Sequence, residues 1–390
     1  MRILHTADWH VGKRLGRYDR MDEHADVLAE VAEIADAEAA DMVVVAGDLF
    51  DRSHAPIEAL RLALDALDRL ARGGAGTAAR PVVAIAGNHD SPELFELLAP
   101  LLRSRGVRLV GEIKRPGAGG VIELAAGGGR ALVACFPFLR EGRVVEFMKE
   151  SDQWHGAYAE RVGKLCAAYD EYLGEKGAGA VKVLTAHFTV HGVKVGGHGL
   201  PRGERALHLG EAYTATEQAI PPGPQYVAMG HVHAPQPVPG AAVPAAYAGS
   251  LLELDFGEAG EEKRVVLVEA EPGVRATVRS IPMSRGRRLR RVRGRWEELA
   301  GRDDLRDVYL DLTVETDGPD PGLADRAQQA FPYLVKVRTD YERVGQEAPV
   351  RTDQPWDELY RGYCRSVHGT EPSAELLQAF REVYAEVIDA

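Results

Sequence analysis

Hydrophobic and polar positions along the first hundred residues switch between two periods. Residues 1–7, 42–46 and 81–86 are short apolar runs of strand length, and helical spacing separates them. Asp22 to Ala40 places Val27, Leu28, Val31, Ile34 and Ala35 on one face. Pro56 to Leu70 does the same with Ile57, Leu60, Leu64 and Leu67, and Ser91-Pro92 opens a third helix with Leu94, Phe95, Leu97 and Leu98. Pro56 and Pro92 suit a first helical turn, where no amide donor is needed. The strand, helix, strand order predicts right-handed crossovers and a mostly parallel sheet.

After residue 105 the texture changes. Apolar runs at 107–110, 121–124 and 131–136 are separated by Gly and Pro turns, which predicts sheet without crossovers. Helices near 143–149 and 155–173 follow, then strands at 181–186, 226–229, 245–248 and 263–268. The pattern predicts an α/β domain over 1–284: a two-sheet β-sandwich flanked by helices. Strand 308–314, helix 322–330 and strand 333–338 predict a small α+β unit, 285–345, too small for a large core of its own. A polar linker, 342–354, leads within the region 346–390 to two helices. One carries Trp356, Leu359, Tyr360 and Tyr363 on one face; the other has a stripe of Leu376, Leu377, Phe380, Val383, Tyr384 and Val387. These apolar faces need cover, from this chain or from another protein.

Composition narrows the class. With 45% hydrophobic and 27% charged residues among 390, the chain reads as globular. It shows neither a signal-peptide pattern nor a run of about 20 apolar residues, and a cytoplasmic protein is expected. Cys135, Cys166 and Cys364 are scattered, so buried thiols are expected rather than a disulfide framework or a zinc ribbon. The net charge of −12 argues against bulk attraction to nucleic acid. Seven arginines between 285 and 295 nevertheless form a local basic run. It reads equally as a solvated edge strand or as a phosphate contact.

The chemistry lies in the loops that follow the strands. "ADWHVG" brings Asp8 and His10, "GDLFD" Asp48, "GNHD" Asn88 and His89, and "GHVH" His231 and His233; His187 follows "VLTA". Loops at the carboxyl ends of strands are where ligands gather in open α/β sheets. Residues two apart on extended backbone point the same way, so Asp8 with His10 and His231 with His233 can each offer two ligands. A carboxylate, imidazole and amide set without thiolate suits manganese, iron or zinc. Seven candidates, Asp8, His10, Asp48, Asn88, His187, His231 and His233, exceed the needs of one tetrahedral ion, and a carboxylate can bridge two. A two-metal centre activates water and clamps a phosphoryl group, so phosphoester hydrolysis is the expected reaction. His89, beside Asn88, is expected to face the substrate and either stabilise developing charge or protonate a leaving oxygen. Asp90 could orient His89 or cap the next helix, and Asp51 could back a ligating histidine or cap its loop.

At these residues the chain resembles the calcineurin-like metallophosphoesterase superfamily. The ordered motifs "HTADWHVGK", "AGDLFDRSHAP", "AGNHDSPE", "TAHFTV", "MGHVHAPQ" and "AGSLLELDFGE" are similar to its SbcD branch, the nuclease subunit that works with the SMC-like ATPase SbcC. The resemblance implies that Asp8, His10 and His233 bind one Mn(II) and Asn88, His187 and His231 a second, with Asp48 bridging and His89 catalytic. It implies a DNA-capping role for 285–345, with Arg287, Arg288, Arg290 and Arg291 as DNA contacts. It also implies a homodimer within a heterotetramer, ATP used only by the partner, and SbcC contacts through Tyr360, Leu377 and Phe380. The expected activities are double-strand exonuclease and single-strand endonuclease, serving break and hairpin processing near the nucleoid. Some relatives carry a histidine soon after "GDLF", where this chain has Asp51 and then His54. A protein phosphatase or another small-substrate phosphodiesterase is the competing enzyme reading, although "GDLFDRS" and "GNHD" differ from the phosphatase forms "GDxVDRG" and "GNHE". A scaffold for the ATPase heads is the non-enzymatic one.

Overall fold

The computed structural model describes residues 1–74, 76–140, 158–194, 214–341, 356–368 and 371–388. The expected helix at 143–149, the start of the one at 155, the linker 342–354 and the side chains of Trp356, Val383, Tyr384 and Val387 lie outside the described residues. The chain forms two compact units, Met1–Asp340 and Tyr341–Ala390.

The first unit begins with β1 (Arg2–Thr6), α1 (Met21–Ala37), β2 (Met42–Val45), α2 (Ile57–Arg72), β3 (Val82–Ile85), α3 (Pro92–Arg103) and β4 (Val107–Val110). A hairpin of β5 (Val121–Ala126) and β6 (Gly129–Phe136) follows, then α4 (Tyr158–Lys176) and β7 (Val181–His187). Two-residue strands β8 (Thr189–Val190) and β9 (Thr214–Ala215) precede β10 (Tyr226–Gly230), β11 (Gln236–Pro237), β12 (Ala245–Tyr247), β13 (Arg264–Glu269) and β14 (Thr277–Pro282). One six-stranded sheet runs β14-β13-β1-β2-β3-β4 and the other β11-β12-β10-β7-β6-β5.

Strand alternation assigns the layers. In β2, Met42 and Val44 point into a core shared with Val133, Val183 and Ala228 of the opposite sheet. Val43 and Val45 point the other way, against Val31, Leu67 and Phe95 of the flanking helices. Every residue of β2 is buried, which is why it reads as a continuous apolar run rather than an alternating one. On the far side, Val162, Leu165 and Tyr169 of α4 cover Leu184 and Val227. The result is a sandwich of two sheets between two layers of helix.

One expectation is corrected. The segment after residue 105 is not free of crossovers: β4 pairs parallel with β3, and β6, β7, β10 and β12 pair parallel in turn. The β5–β6 hairpin, β11, and β13 with β14 and β1 supply antiparallel neighbours. Gly127 and Gly128 close the hairpin, whereas α4 lies in the connection from β6 to β7.

The arginine run is a strand. β15 (Leu289–Arg295) pairs parallel with β16 (Tyr309–Glu315), which pairs with β17 (Leu334–Asp340). This sheet and helix Leu323–Ala330 enclose their own small core of Leu310, Leu312, Val314, Leu323, Ala327 and Phe331. A second cluster, Leu15, Phe256, Leu289 and Tyr309, ties the sheet to loops of the main sandwich.

The second unit contains helices Trp356–His368 and Ala374–Ile388. Tyr360 and Phe380 stack with ring centroids 4.2 Å apart, and Arg381 pairs with Asp357. Leu377 and Cys364 are buried, whereas Leu359, Tyr363 and Leu376 are exposed. Tyr360, Leu377 and Phe380 therefore sit in the buried or helix-to-helix contacts of this unit rather than among its exposed apolar side chains. Cys135 and Cys166 are buried as well. Among the described residues no helix is long and apolar enough to cross a membrane.

Candidate metal centre

The loops after β1, β2, β3 and β10 and the last residue of β7 meet at one end of the sandwich. The loops are laced by main chain: the Asp8 amide donates to the Gly47 carbonyl at 3.0 Å and that of His10 to the Asp48 carbonyl at 3.0 Å. Residues Asp8, His10, Asp48 and His231 adopt φ of 51°, 46°, 52° and 91°. Among the described residues, Ala39 alone of the other non-glycine residues has positive φ. Such backbone costs of order 1–3 kcal/mol per residue and persists where the surroundings over-determine it, typically at functional sites. The glycines before Asp48 and Asn88 have a packing cause. A Cβ on Gly47 would strike the His187 ring, and one on Gly87 would strike Asp48.

Seven side chains converge. Asp8, His10, Asp48 and His233 form one group with ligand atoms within 4.8 Å of one another, and Asp48, His187 and His231 form another. Asn88 joins the second through Oδ1, 2.8 Å from His231 Nδ1 and 3.1 Å from His187 Nε2. Asp48 belongs to both: its Oδ2 lies 3.5 Å from His10 Nε2 and 3.3 Å from His187 Nε2.

The donor set fits a cation. His187 Nδ1 lies 2.8 Å from the Ala46 carbonyl, so it donates there, and neutral His187 then turns a lone pair on Nε2 toward the oxygens of Asn88 and Asp48. His233 Nδ1 faces Glu258 Oε1 at 2.8 Å, which leaves its Nε2 lone pair facing His10 Nε2 at 3.0 Å. Around His187 Nε2, acceptors opposed in this way are relieved by a positive charge between them. Electrostatics agree. Burial and the neighbouring Asp48 push the Asp8 carboxyl up to about 7 against the pull of His187. Burial would raise Asp48 too, but His187, His10 and His89 outweigh it and hold Asp48 well below the usual range. Burial depresses His10. His187 rises to about 9 because Asp48 overcomes the opposing burial, so without a metal a proton on its Nε2 answers the same oxygens that a cation would.

His89 lies over this cluster, its ring 4.8 Å from that of His10. Its amide donates to Asp48 Oδ1 at 2.9 Å, and its Nδ1 donates to the Asp51 carbonyl at 2.7 Å. Backbone, not Asp90, thus orients the ring. Asp90 is buried and accepts from the amides of Gly87, Leu49 and Phe50, clamping the "GDLF" and "GNHD" loops together. Burial and Asp48 raise its pKa to about 6. Helix α3 is capped by Ser91, whose Oγ accepts from the Leu94 amide. The Asp51 carboxylate pairs with Lys13 at 2.9 Å. His54 is exposed, 3.2 Å from the Ser53 hydroxyl, and outside the cluster.

Two supporting residues carry no motif signal. Arg140 Nη2 donates to the carbonyls of Asn88 and Asp90 at 3.0 and 2.7 Å, fixing the "GNHD" loop. No spacing rule marks it, because it follows β6 in a stretch without metal-binding side chains. Glu258, fully buried behind His233, belongs to "AGSLLELDFGE", but it adjoins no ligand in sequence and so does not stand out there.

Arg287, Arg288, Arg290 and Arg291 do not join the cluster; each is engaged locally. Arg288 pairs with Glu253, Arg290 with Asp304 and Arg291 with Asp311. Arg287 pairs with Asp307 and lies 3.5 Å over the Tyr333 ring.

Residues 1–235 match the family described as Calcineurin-like phosphoesterase, and residues 285–359 match the Type 5 capsule protein repressor C-terminal domain. The chain is 32% identical to a Bacillus subtilis protein named as the SbcD subunit of the nuclease SbcCD, over 99% of this chain and 98% of the relative. The chain belongs to the SbcD family of calcineurin-like phosphoesterases. Family members of the same name from Rhodobacter capsulatus and Escherichia coli are 33% and 27% identical over 73% and 81% of this chain and 70% and 78% of their own lengths. As a member of the SbcD family, the chain is a metal-dependent phosphoesterase, and the cluster of histidines and carboxylates is a candidate place for its divalent metal.

Proposed function

We propose that this SbcD-family chain is a manganese-dependent DNA nuclease, with double-strand exonuclease and single-strand endonuclease activity, acting beside an SbcC-type ATPase. The observation that carries the two-metal part is Asp48 Oδ2, which faces a histidine of each ligand group at 3.5 and 3.3 Å. Asp8, His10 and His233 would hold one Mn(II), Asn88, His187 and His231 the other, and Asp48 would be shared. Bound there, two divalent ions supply the positive charge that acidifies a water and offsets charge on the phosphoryl oxygens. The protein's own contribution is placement. Asp90 and Arg140 lock the two ligand loops, and the Asp51 carbonyl holds Nδ1 of His89 so that its Nε2 is left to exchange a proton with the leaving oxygen.

The DNA and ATPase assignments rest on relatives named as subunits of a nuclease complex. A homodimer is supported by Ile57, Leu97 and Leu101, apolar side chains 72%, 67% and 65% exposed on α2 and α3. Leu97 and Leu101 are one helical turn apart and share a face. For the ATPase we favour Leu359, Tyr363 and Leu376, exposed apolar side chains among the described residues of the C-terminal helices, beside the stacked pair Tyr360 and Phe380. A cytoplasmic site of action follows from that reading.

The test is a manganese titration of cleavage of linear double-stranded and circular single-stranded DNA, with a small phosphodiester for comparison. Manganese-dependent cleavage that disappears in Asp48→Ala, and in His89→Ala despite retained metal, is the expected result. Hydrolysis of the small ester with no attack on either DNA, even with the ATPase partner and ATP, would replace the nuclease reading with a small-substrate phosphodiesterase.

A further inference from the structure

The two ligand groups are backed differently. His187 leans on a main-chain carbonyl, Ala46 O. His233 leans on a buried carboxylate: Glu258 Oε1 is 2.8 Å from its Nδ1, and Glu258 is fully buried. The other Glu258 oxygen, Oε2, is saturated from elsewhere. It accepts from Lys263 Nζ at 2.9 Å and from the Leu254 amide at 3.0 Å, with Ser250 Oγ at 3.1 Å. Lys263 also donates to the His233 carbonyl at 3.2 Å and to Glu261 at 2.8 Å. The carboxylate therefore cannot rotate without losing a buried ammonium, and one oxygen remains aimed at the histidine.

We propose that Glu258 is a positioning residue that fixes the tautomer of His233, holding its proton on Nδ1 so that Nε2 is kept as a ligand for one metal of the pair. This rests on the two-metal reading above and adds an asymmetry to it. A carboxylate behind an imidazole raises its ligand basicity and fixes the ring, and loss of such a partner costs roughly 10–100-fold in metal affinity. Glu258 touches the Asp8, His10 and His233 group through His233, so the effect falls on one metal site and spares the other.

The nearly isosteric change Glu258→Gln is the most informative because of the donors around Oε2. Lys263 and the Leu254 amide can be satisfied only by the new amide's oxygen, which leaves its NH2 facing His233 Nδ1. That nitrogen must then accept, and the ring proton moves to Nε2, the atom proposed to bind metal. A conservative change would thus invert the tautomer rather than merely loosen the loop.

The test combines two measurements on the full chain. Nitrogen-15 imidazole NMR, with the His233 signals assigned by their loss in His233→Ala, should show the Nδ1–H tautomer in the wild type and Nε2–H in Glu258→Gln. Calorimetric manganese titration should give two sites in the wild type, and in Glu258→Gln one of them weakened about 10–100-fold with the other unchanged. In a His233→Ala background the same change should cause no further loss. Equal weakening of both sites, additive losses in the double variant, or an Nε2–H tautomer in the wild type would each overturn the proposal. The last is read without any Glu258 variant having to fold. A wild type binding no metal pair would instead bring down the two-metal reading, and this inference with it.

Discussion

The metal cradle and the arginine strand are both densely charged, and they resolve their charge in opposite ways. In the cradle, lone pairs oppose lone pairs, as where His187 Nε2 meets Asn88 Oδ1 and Asp48 Oδ2. On β15 and the turn before it, arginines 285, 287, 288, 290, 291, 293 and 295 each have a carboxylate partner, among them Glu33, Asp307, Glu253, Asp304, Asp311, Glu315 and Asp317. Charge density alone therefore does not mark a ligand site. What marks one is charge that the fold leaves uncompensated at a point where it also holds strained backbone.

The sharpest way to break that comparison is to remove the shared carboxylate. Asp48→Ala should cut phosphodiester hydrolysis by about a thousandfold or more, since bound metal supplies several kcal/mol of charge stabilisation. A manganese titration should show both sites affected together, and loss at one site alone would argue against sharing.

Around the arginine strand, where Arg20 packs on Tyr309 of β16, burial should sort the residues. Arg20 is 1% exposed, donates to the Glu253 carbonyl at 2.7 Å and to Glu23 at 3.0 Å, and lies 5.1 Å over the Tyr309 ring. Tyr309 in turn donates to Glu23 at 2.6 Å. Arg20→Met should destabilise the fold by about 1–3 kcal/mol in a urea titration, because it takes donors from Glu23 and from the buried Glu253 carbonyl. Arg290→Ala, which opens an exposed pair with Asp304, should leave the same midpoint nearly unchanged.

A pH series separates burial from pairing. Burial, aided by Arg20, lowers His24 to about 4 from its ordinary 6.5. Between pH 6.5 and 4 the unfolded chain takes up a proton that the native state refuses. The His24 contribution to stability is thus complete above its ordinary pKa and declines in acid by up to about 1.4 kcal/mol per pH unit. Relative to wild type, His24→Gln should lose less stability across that window. Parallel curves would mean that His24 does not stay neutral.

The smallest effect concerns DNA. The Arg290–Asp304 pair is exposed on both sides and weak enough for a phosphate to displace, whereas Arg288 and Arg291 pair with the buried carboxylates of Glu253 and Asp311 and give them up less readily. Neutralising the three should flatten the salt dependence of duplex binding by up to about 2.7 in log–log slope if all reach phosphates. An unchanged slope would restrict β15 to its structural pairing.

The parallel half of the first sheet and its helices were legible because a strand buried on both faces reads as an apolar run and an amphipathic helix repeats every 3.6 residues. The parallel pairing of β6, β7, β10 and β12 was not. Their connections carry no repeating pattern, and strand order depends on which edges meet in space. The arginine strand shows the same limit: Leu289 and Val292 are three positions apart rather than two, so the run gives little strand signal without its partner β16.

By itself, the sequence determined which side chains could bind metal and that each would follow a strand, because ligand chemistry is a property of residue type and local order. Only the tertiary structure decided that Asp48 lies between two histidines contributed by different sheets, that a backbone carbonyl rather than Asp90 aims His89, and that Glu258 stands behind His233. His89 and the Asp51 carbonyl are 38 positions apart, and His233 and Glu258 are 25 apart. Such relations are set by the packing of one sheet against another and of one loop on the next, which no local pattern encodes.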